Sequence, residues 1–340
     1  MLAELNYFYG KPTTIGQYKQ KFEDFVVTED LGFELTNDGE HVFVFLEKCD
    51  CNTIFVAEQL AKYVGISAKF VSYAGLKDRQ AVTQQWFSLH MPGQATPDFS
   101  NFNLDGCKIL KVTRHNKKLK IGALKGNYFN INLTSLSDKS EIESKLALIK
   151  QFGVPNYFGE QRFGREQNNV IQAIKWANGE ISVTDRKKRS FYLSAARSAI
   201  FNNIVSQRIA QNLHQTVLDG DILQLAGRGS WFVAQAEELP SLQQRVHQGE
   251  INITAPMVGD SPLGTTSVAF EFEQSCLQSW SNFNSLFAKE RVETARRSIV
   301  VYPSQLSWQW LDDNNVNLKF YLPSGCYATS VIRELIIGSE

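Results

Sequence analysis

The chain has 340 residues, in which 35 Lys and Arg balance 35 Asp and Glu and 43% are hydrophobic. At about 150 residues per domain the length suggests two domains, and the ordinary apolar share excludes a disordered, collagen-like or coiled-coil chain. No apolar run approaches the ~18 residues of a membrane span. The opening Met1-Leu2-Ala3-Glu4 lacks a basic stretch followed by an apolar one. Five scattered cysteines, at 49, 51, 107, 276 and 326, fit a reducing compartment better than a disulfide framework. A cytoplasmic, two-domain protein with no membrane attachment is expected.

The zero net charge hides an asymmetry. Residues 1–50 hold 10 acids against 4 bases, whereas residues 101–200 hold 18 bases against 8 acids. The densest stretch runs through Lys108, Lys111, Arg114, Lys117, Lys118 and Lys120 to Lys125 with no Asp or Glu between them. Such a run can neutralise phosphates and release counterions, which points to a polyanion such as RNA, although a solvated strand or loop face has the same pattern. A second cluster, Arg186-Lys187-Lys188-Arg189, is a weaker sign of phosphate contact, because Asp185 adjoins it and it also reads as no more than the cap of a long helix.

Along the chain, residues 24–29 and 41–46 are β-branched or aromatic and flank Asn37-Asp38-Gly39, so two strands are predicted. Asn52 or Thr53 caps a helix through Val64, with Gly65 placed to end it. Residues 69–74 read as a strand stopping at Gly75, and Phe129 to Leu133 alternates as another. Ser140 and Glu143 have capping-box spacing at the start of a helix that stops at Gly153. Beyond Gly153 helices are predicted over 168–178, 189–215 and 284–297, with a strand over 268–272. Strands are predicted again over 316–322 and 328–332. Strand character thus returns after a helical middle, and with no repeats and no low-complexity linker between them one domain inserted into another is suggested rather than two in tandem.

The five histidines, at 41, 90, 115, 214 and 247, form no metal-binding pattern, and Cys49-Asp50-Cys51 has no second pair to complete a zinc site. Phosphate-binding glycine loops and the serine-hydrolase elbow are missing too. Chemistry, if any, is expected to need no metal or cofactor. The most unusual stretch is Ala74-Gly75-Leu76-Lys77-Asp78-Arg79-Gln80-Ala81, where one carboxylate stands between two cations at a strand end. An ionised Asp78 there can serve as a nucleophile, or be one half of a surface ion pair. Asn127-Tyr128-Phe129 follows the basic run. It offers an amide that can bond a base edge and a ring that can stack a base, although a core aromatic reads the same way.

Taken together, these segments resemble the TruD family of tRNA pseudouridine synthases over nearly the whole chain. The resemblance rests on Phe22-Glu23-Asp24-Phe25-Val26-Val27, on Ala74 to Trp86, and on Leu124-Lys125-Gly126-Asn127-Tyr128-Phe129. It continues through Val154-Pro155-Asn156-Tyr157-Phe158-Gly159-Glu160-Gln161-Arg162-Phe163-Gly164, through Arg189 to Ala199, and through Ala328-Thr329-Ser330-Val331-Ile332-Arg333-Glu334-Leu335. The resemblance implies an α+β fold: a catalytic domain with a mostly antiparallel central sheet, formed by residues 1–153 and 302–340, and an inserted α/β TRUD domain over 154–301. It implies isomerisation of uridine 13 of tRNA to pseudouridine by a monomer, with no cofactor and no protein partner. Asp78 takes the catalytic position and Lys19 stands beside it, while Phe25, Asn127, Phe129 and Tyr327 line the nucleotide pocket. At 327 the family often has Phe, so this Tyr adds a hydroxyl that must find a partner. The readings that compete with this one are a non-catalytic RNA-binding protein and a glycosidase that releases free uracil.

Overall fold

The computed structural model describes residues 4–339. Contacts divide them into two compact units, one of residues 4–12, 151–302 and 329–334, the other of 13–150, 303–328 and 335–339.

The second unit is built on one large sheet. Its strand order is Ser304–Trp310, Val316–Pro323, Gly126–Leu133, Phe25–Asp30, Val82–His90, His41–Cys49 and Cys107–His115, with Val71–Tyr73 also pairing Val82–His90. Every pairing is antiparallel except Phe25–Asp30 against Val82–His90. Alternation gives the sheet two faces. Val42, Val44, Leu46, Phe87 and Leu89 are buried and pack with Val56 and Leu60 of the helix Thr53–Val64. That helix begins where Asn52 accepts from the Ile54 amide and ends at Gly65, whose φ of 73° is the left-handed turn glycine adopts without cost. Gly126 has a different reason to be glycine: a Cβ there would lie 2.4 Å from the Leu322 carbonyl across the ladder.

The first unit has a four-stranded antiparallel sheet in the order Trp231–Val233, Ile222–Leu225, Ile251–Met257 and Ala295–Ser298. The 25-residue helix Arg186–Ala210 packs against Asn168–Ala177 and the central strand. Two guanidiniums are buried with their partners: Arg208 with Asp221 at 2.5 Å and Arg296 with Glu273 at 2.7 Å.

Several predicted elements change. Residues 267–277 are helical, not a strand, because Ala269, Phe272 and Cys276 are buried at helical spacing while Val268 and Phe270 face solvent. Ala328–Leu335 is likewise a helix, and the predicted helix over 284–297 stops at Lys289, leaving Ala295–Ser298 as a strand. The long helix starts three residues early because Asp185 accepts from the Lys188 amide and caps it, and it ends at Ala210. Ser140 and Glu143 form no capping box. Asp138 accepts from the Glu141 amide instead, and Glu143 takes the indole N–H groups of Trp308 and Trp310.

Leu60 is fully buried between helix and sheet. Leu60→Ala is expected to cost about 2–5 kcal/mol, read as a lower urea midpoint for the unit that carries the large sheet.

Candidate active site

Asp78 sits in the loop between Val71–Tyr73 and Val82–His90, and its carboxylate meets Lys19 rather than its neighbours in sequence. Lys19 Nζ donates to Asp78 Oδ2 at 2.6 Å; the lysine side chain is 2% exposed and the aspartate 27%. The same ammonium lies 4.7 Å from the Phe25 ring centroid, a cation–π contact. Lys19 has φ of 58°, a left-handed conformation that costs a side-chain-bearing residue about 1 kcal/mol and is retained here against these two partners. Asp78 Oδ1 also accepts from the Gln80 amide at 3.3 Å, turning the loop on itself.

The two cations flanking Asp78 act elsewhere. Arg79 pairs with Asp50 on the surface. Lys77 turns inward, donating to Asn127 Oδ1 at 2.6 Å and standing 3.1 Å from Glu29 Oε1. Lys77 and Arg79 thus have other partners, and Lys19, 59 residues away in sequence, is the cation that pairs with Asp78.

The loop backbone is anchored from below. Lys48, fully buried, donates to the Asp78 carbonyl at 2.9 Å and the Cys51 carbonyl at 2.8 Å. Thr53 Oγ1 accepts from the Lys77 amide at 3.1 Å and donates to Gln85 Oε1 at 3.0 Å. Burial pushes the Lys48 ammonium down to about 8, with the Asp78 charge opposing. Burial likewise pushes the Glu29 carboxyl up, against the lowering effect of Lys77 and of the Trp86 amide that donates to it.

Phe25 and Phe129 are brought together, ring centroids 6.1 Å apart and edge to face. Phe320 stacks on Phe129 at 5.3 Å, so one face of that ring is already occupied. Asn127 is two residues before Phe129 on the same inward side of the strand, and both are buried. Tyr327 lies in the turn after Val316–Pro323, whose Pro323 pairs Gly126 beside Asn127, at the same end of the sheet.

Lys108 and Lys111 lie on the Cys107–His115 edge strand, and Lys117, Lys118, Lys120 and Lys125 on the loop that follows; all six are exposed. Arg114 differs: its guanidinium donates to Thr96, Gly39 and Gln94 and stitches the strand to neighbouring loops. The Val154–Gly164 motif is structural in its visible contacts. Asn156 donates to the Ser298 carbonyl, Tyr157 to the Asn6 carbonyl, and Phe158 exchanges hydrogen bonds with Asn202. A groove of about 330 Å³ on the sheet is lined by Val26, Thr28, Tyr128, Asn130, Ser307 and Lys319 together with Phe129 and Phe320. Val26, Thr28, Tyr128, Asn130 and Lys319 alternate with the inward residues of their strands and so face the other side of the sheet. Among the described residues no group of three His, Cys, Asp or Glu is placed to hold a metal, and no helix is long and apolar enough to cross a membrane.

Lys48 and Glu29 were missed from sequence. Both occupy inward positions of alternating strands, next to buried Leu46 and Val27 respectively, and a charge at an inward position is the signal that marks them.

A mostly antiparallel sheet that holds an aspartate–lysine pair beside buried aromatic rings is the frame in which the comparisons fall. The family model for tRNA pseudouridine synthase D (TruD) matches residues 2–176 and 171–335. A crystal structure titled as a putative tRNA pseudouridine synthase D from Methanosarcina mazei superposes with a TM-score of 0.76 at 22% identity, covering 97% of this chain and 95% of that one. The chain belongs to the TruD family of tRNA pseudouridine synthases, and is thus an isomerase.

The buried lysine gives a pH test. An unfolded lysine titrates near 10.4, so between pH 8 and 10.4 the unfolded chain binds more protons than the folded one and the cost of burying Lys48 is relieved as pH rises. The stability of the wild type relative to Lys48→Met is therefore expected to increase by roughly 2 kcal/mol between pH 7 and 9.5, measured by urea denaturation at each pH. A difference that stays flat would contradict the depressed titration.

Proposed function

We propose that this chain isomerises uridine 13 of tRNA to pseudouridine, with Asp78 as the reacting carboxylate and without metal or cofactor. The observation that carries this reading is the Asp78 carboxylate, partly exposed and hydrogen-bonded to a buried lysine beside Phe25. The reaction breaks the N1–C1′ bond, turns the uracil and joins C5 to C1′; the C5 proton leaves and N1 gains one. Asp78 acts at the bond between ribose and uracil, and then accepts the C5 proton. Lys19 pairs with the carboxylate and aims it. Phe129 stacks against the uracil, Phe25, Asn127 and Tyr327 complete the pocket, and the six exposed lysines from Lys108 to Lys125 meet the tRNA backbone. Residues 154–301 form the TRUD domain inserted into the catalytic one.

The test uses tRNA transcript tritiated at uracil C5, because forming the C5–C1′ bond expels that atom into water. Wild type is expected to release tritium, and Asp78→Asn to release none while binding tRNA within a few-fold of wild type. Turnover by Asp78→Asn at the wild-type rate would remove Asp78 from the chemistry. Tight binding by wild type with no release would instead favour a non-catalytic RNA-binding protein.

Binding itself should depend on salt. If the six lysines each neutralise one phosphate, log K is expected to fall against log salt with a slope of roughly −4 to −5, by filter binding from 50 to 200 mM salt. A slope near zero would take the basic strand out of the interface.

A further inference from the structure

We infer that Lys77 and Glu29 fix the direction of the Asn127 carboxamide, so that this site offers the base a hydrogen-bond donor and selects a pyrimidine carbonyl oxygen. The inference deepens the reading above and rests on it.

An ammonium has three donors and no acceptor, so the atom of Asn127 that meets Lys77 Nζ at 2.6 Å must be the amide oxygen. The choice between the two ends of this amide is thus made by the chemistry of its partner. Its Nδ2, with two N–H donors, makes no hydrogen bond to a described residue. Lys77 is held in turn. Glu29 Oε1 stands 3.1 Å from its nitrogen and forms an ion pair with it. Glu29 Oε2 accepts from the Trp86 amide at 2.8 Å, and the Glu29 side chain is fully buried while that of Lys77 is 11% exposed. Glu29 and Asn127 are also direct partners in the sheet register. The row Trp86 N–H, Glu29, Lys77, Asn127 therefore ends in an amide that can turn only by setting its N–H groups against a cation.

Two consequences follow. Glu29 balances the charge of Lys77 and draws it away from Asp78, leaving that carboxylate to Lys19. The donor left on Asn127 matches O2 or O4 of uracil; at O4 it would also reject cytosine, whose amino group there only donates, whereas the O2 carbonyl is common to both bases.

Asn127→Asp separates a positioning role from a structural one, because the carboxylate keeps and strengthens the contact with Lys77 while removing the donor. If Asn127 only held Lys77, this variant would work as well as wild type. The inference predicts a loss of about 100-fold in kcat/KM for tritium release, with tRNA affinity within a few-fold of wild type. Lys77→Met, which frees the amide to turn, is expected to lose at least 10-fold, and Lys77→Arg, which also only donates, to retain most activity. RNA with 2-thiouridine or 4-thiouridine at the target then identifies the oxygen. Sulfur accepts poorly, so one of the two is expected to slow the wild type but not slow Asn127→Ala any further.

Wild-type rates for Asn127→Asp, or no thio penalty that depends on Asn127, would overturn the inference while leaving the isomerase reading intact. Absence of tritium release by the wild type would instead overturn the reading beneath it.

Discussion

The site depends on a single asymmetric pair: an ammonium removed from water facing a carboxylate that keeps about a quarter of its side chain exposed. Burying a lysine is costly unless its charge is answered, so Lys19 needs Asp78, and the Phe25 ring 4.7 Å away adds a cation–π contact. The asymmetry has a chemical use. A carboxylate fully enclosed with its partner could not reach a substrate, whereas one fully exposed would be held in no fixed direction. Lys48 and Thr53 add the third requirement, by gripping the backbone of the same loop at the Asp78 carbonyl and the Lys77 amide. Side chain and main chain of the reacting residue are thus fixed by different elements.

Around this pair the sheet sorts four charged groups so that none competes. Lys77 adjoins Asp78 in sequence, yet Glu29 and Asn127 hold it away, and Arg79 is drawn to Asp50 at the surface. Had Lys77 turned to Asp78, the loop would have held two cations on one carboxylate and left Glu29 without its ion-pair partner. The same face carries Phe25, Phe129 and Phe320 in contact, so polar and apolar halves of the site share one sheet surface and come from adjacent strands.

Much of this was legible before any coordinates, for identifiable reasons. The helix Thr53–Val64 was readable because its cap, apolar stripe and terminal glycine all agree. The strand over 316–322 was readable because Val316, Leu318, Phe320 and Leu322 alternate inward. The segments at 268–272 and 328–332 were misread because short β-branched and aromatic runs carry either period; Ala269, Phe272 and Cys276 decide it only when the window reaches Leu277. In the site, Asp78, Lys19, Phe25, Asn127 and Phe129 were named from the family motifs, and the contacts bring them together. What stayed hidden was which cation serves which anion. That depends on sheet register, and neighbours along the chain, such as Lys77 and Asp78, are misleading guides to it. Arg114 shows the same limit: within a basic run nothing local distinguishes a residue bound to three loop groups from its exposed neighbours.

The most direct measurement on the central pair is the single-turnover rate of pseudouridine formation by Lys19→Met, followed by digestion of the tRNA to nucleosides, with Lys19→Arg alongside. If the buried ammonium holds the reacting carboxylate, Lys19→Met loses at least about 100-fold in rate with tRNA affinity unchanged, and Lys19→Arg recovers part of the loss. A Lys19→Met enzyme that forms pseudouridine at the wild-type rate would contradict the account at its centre.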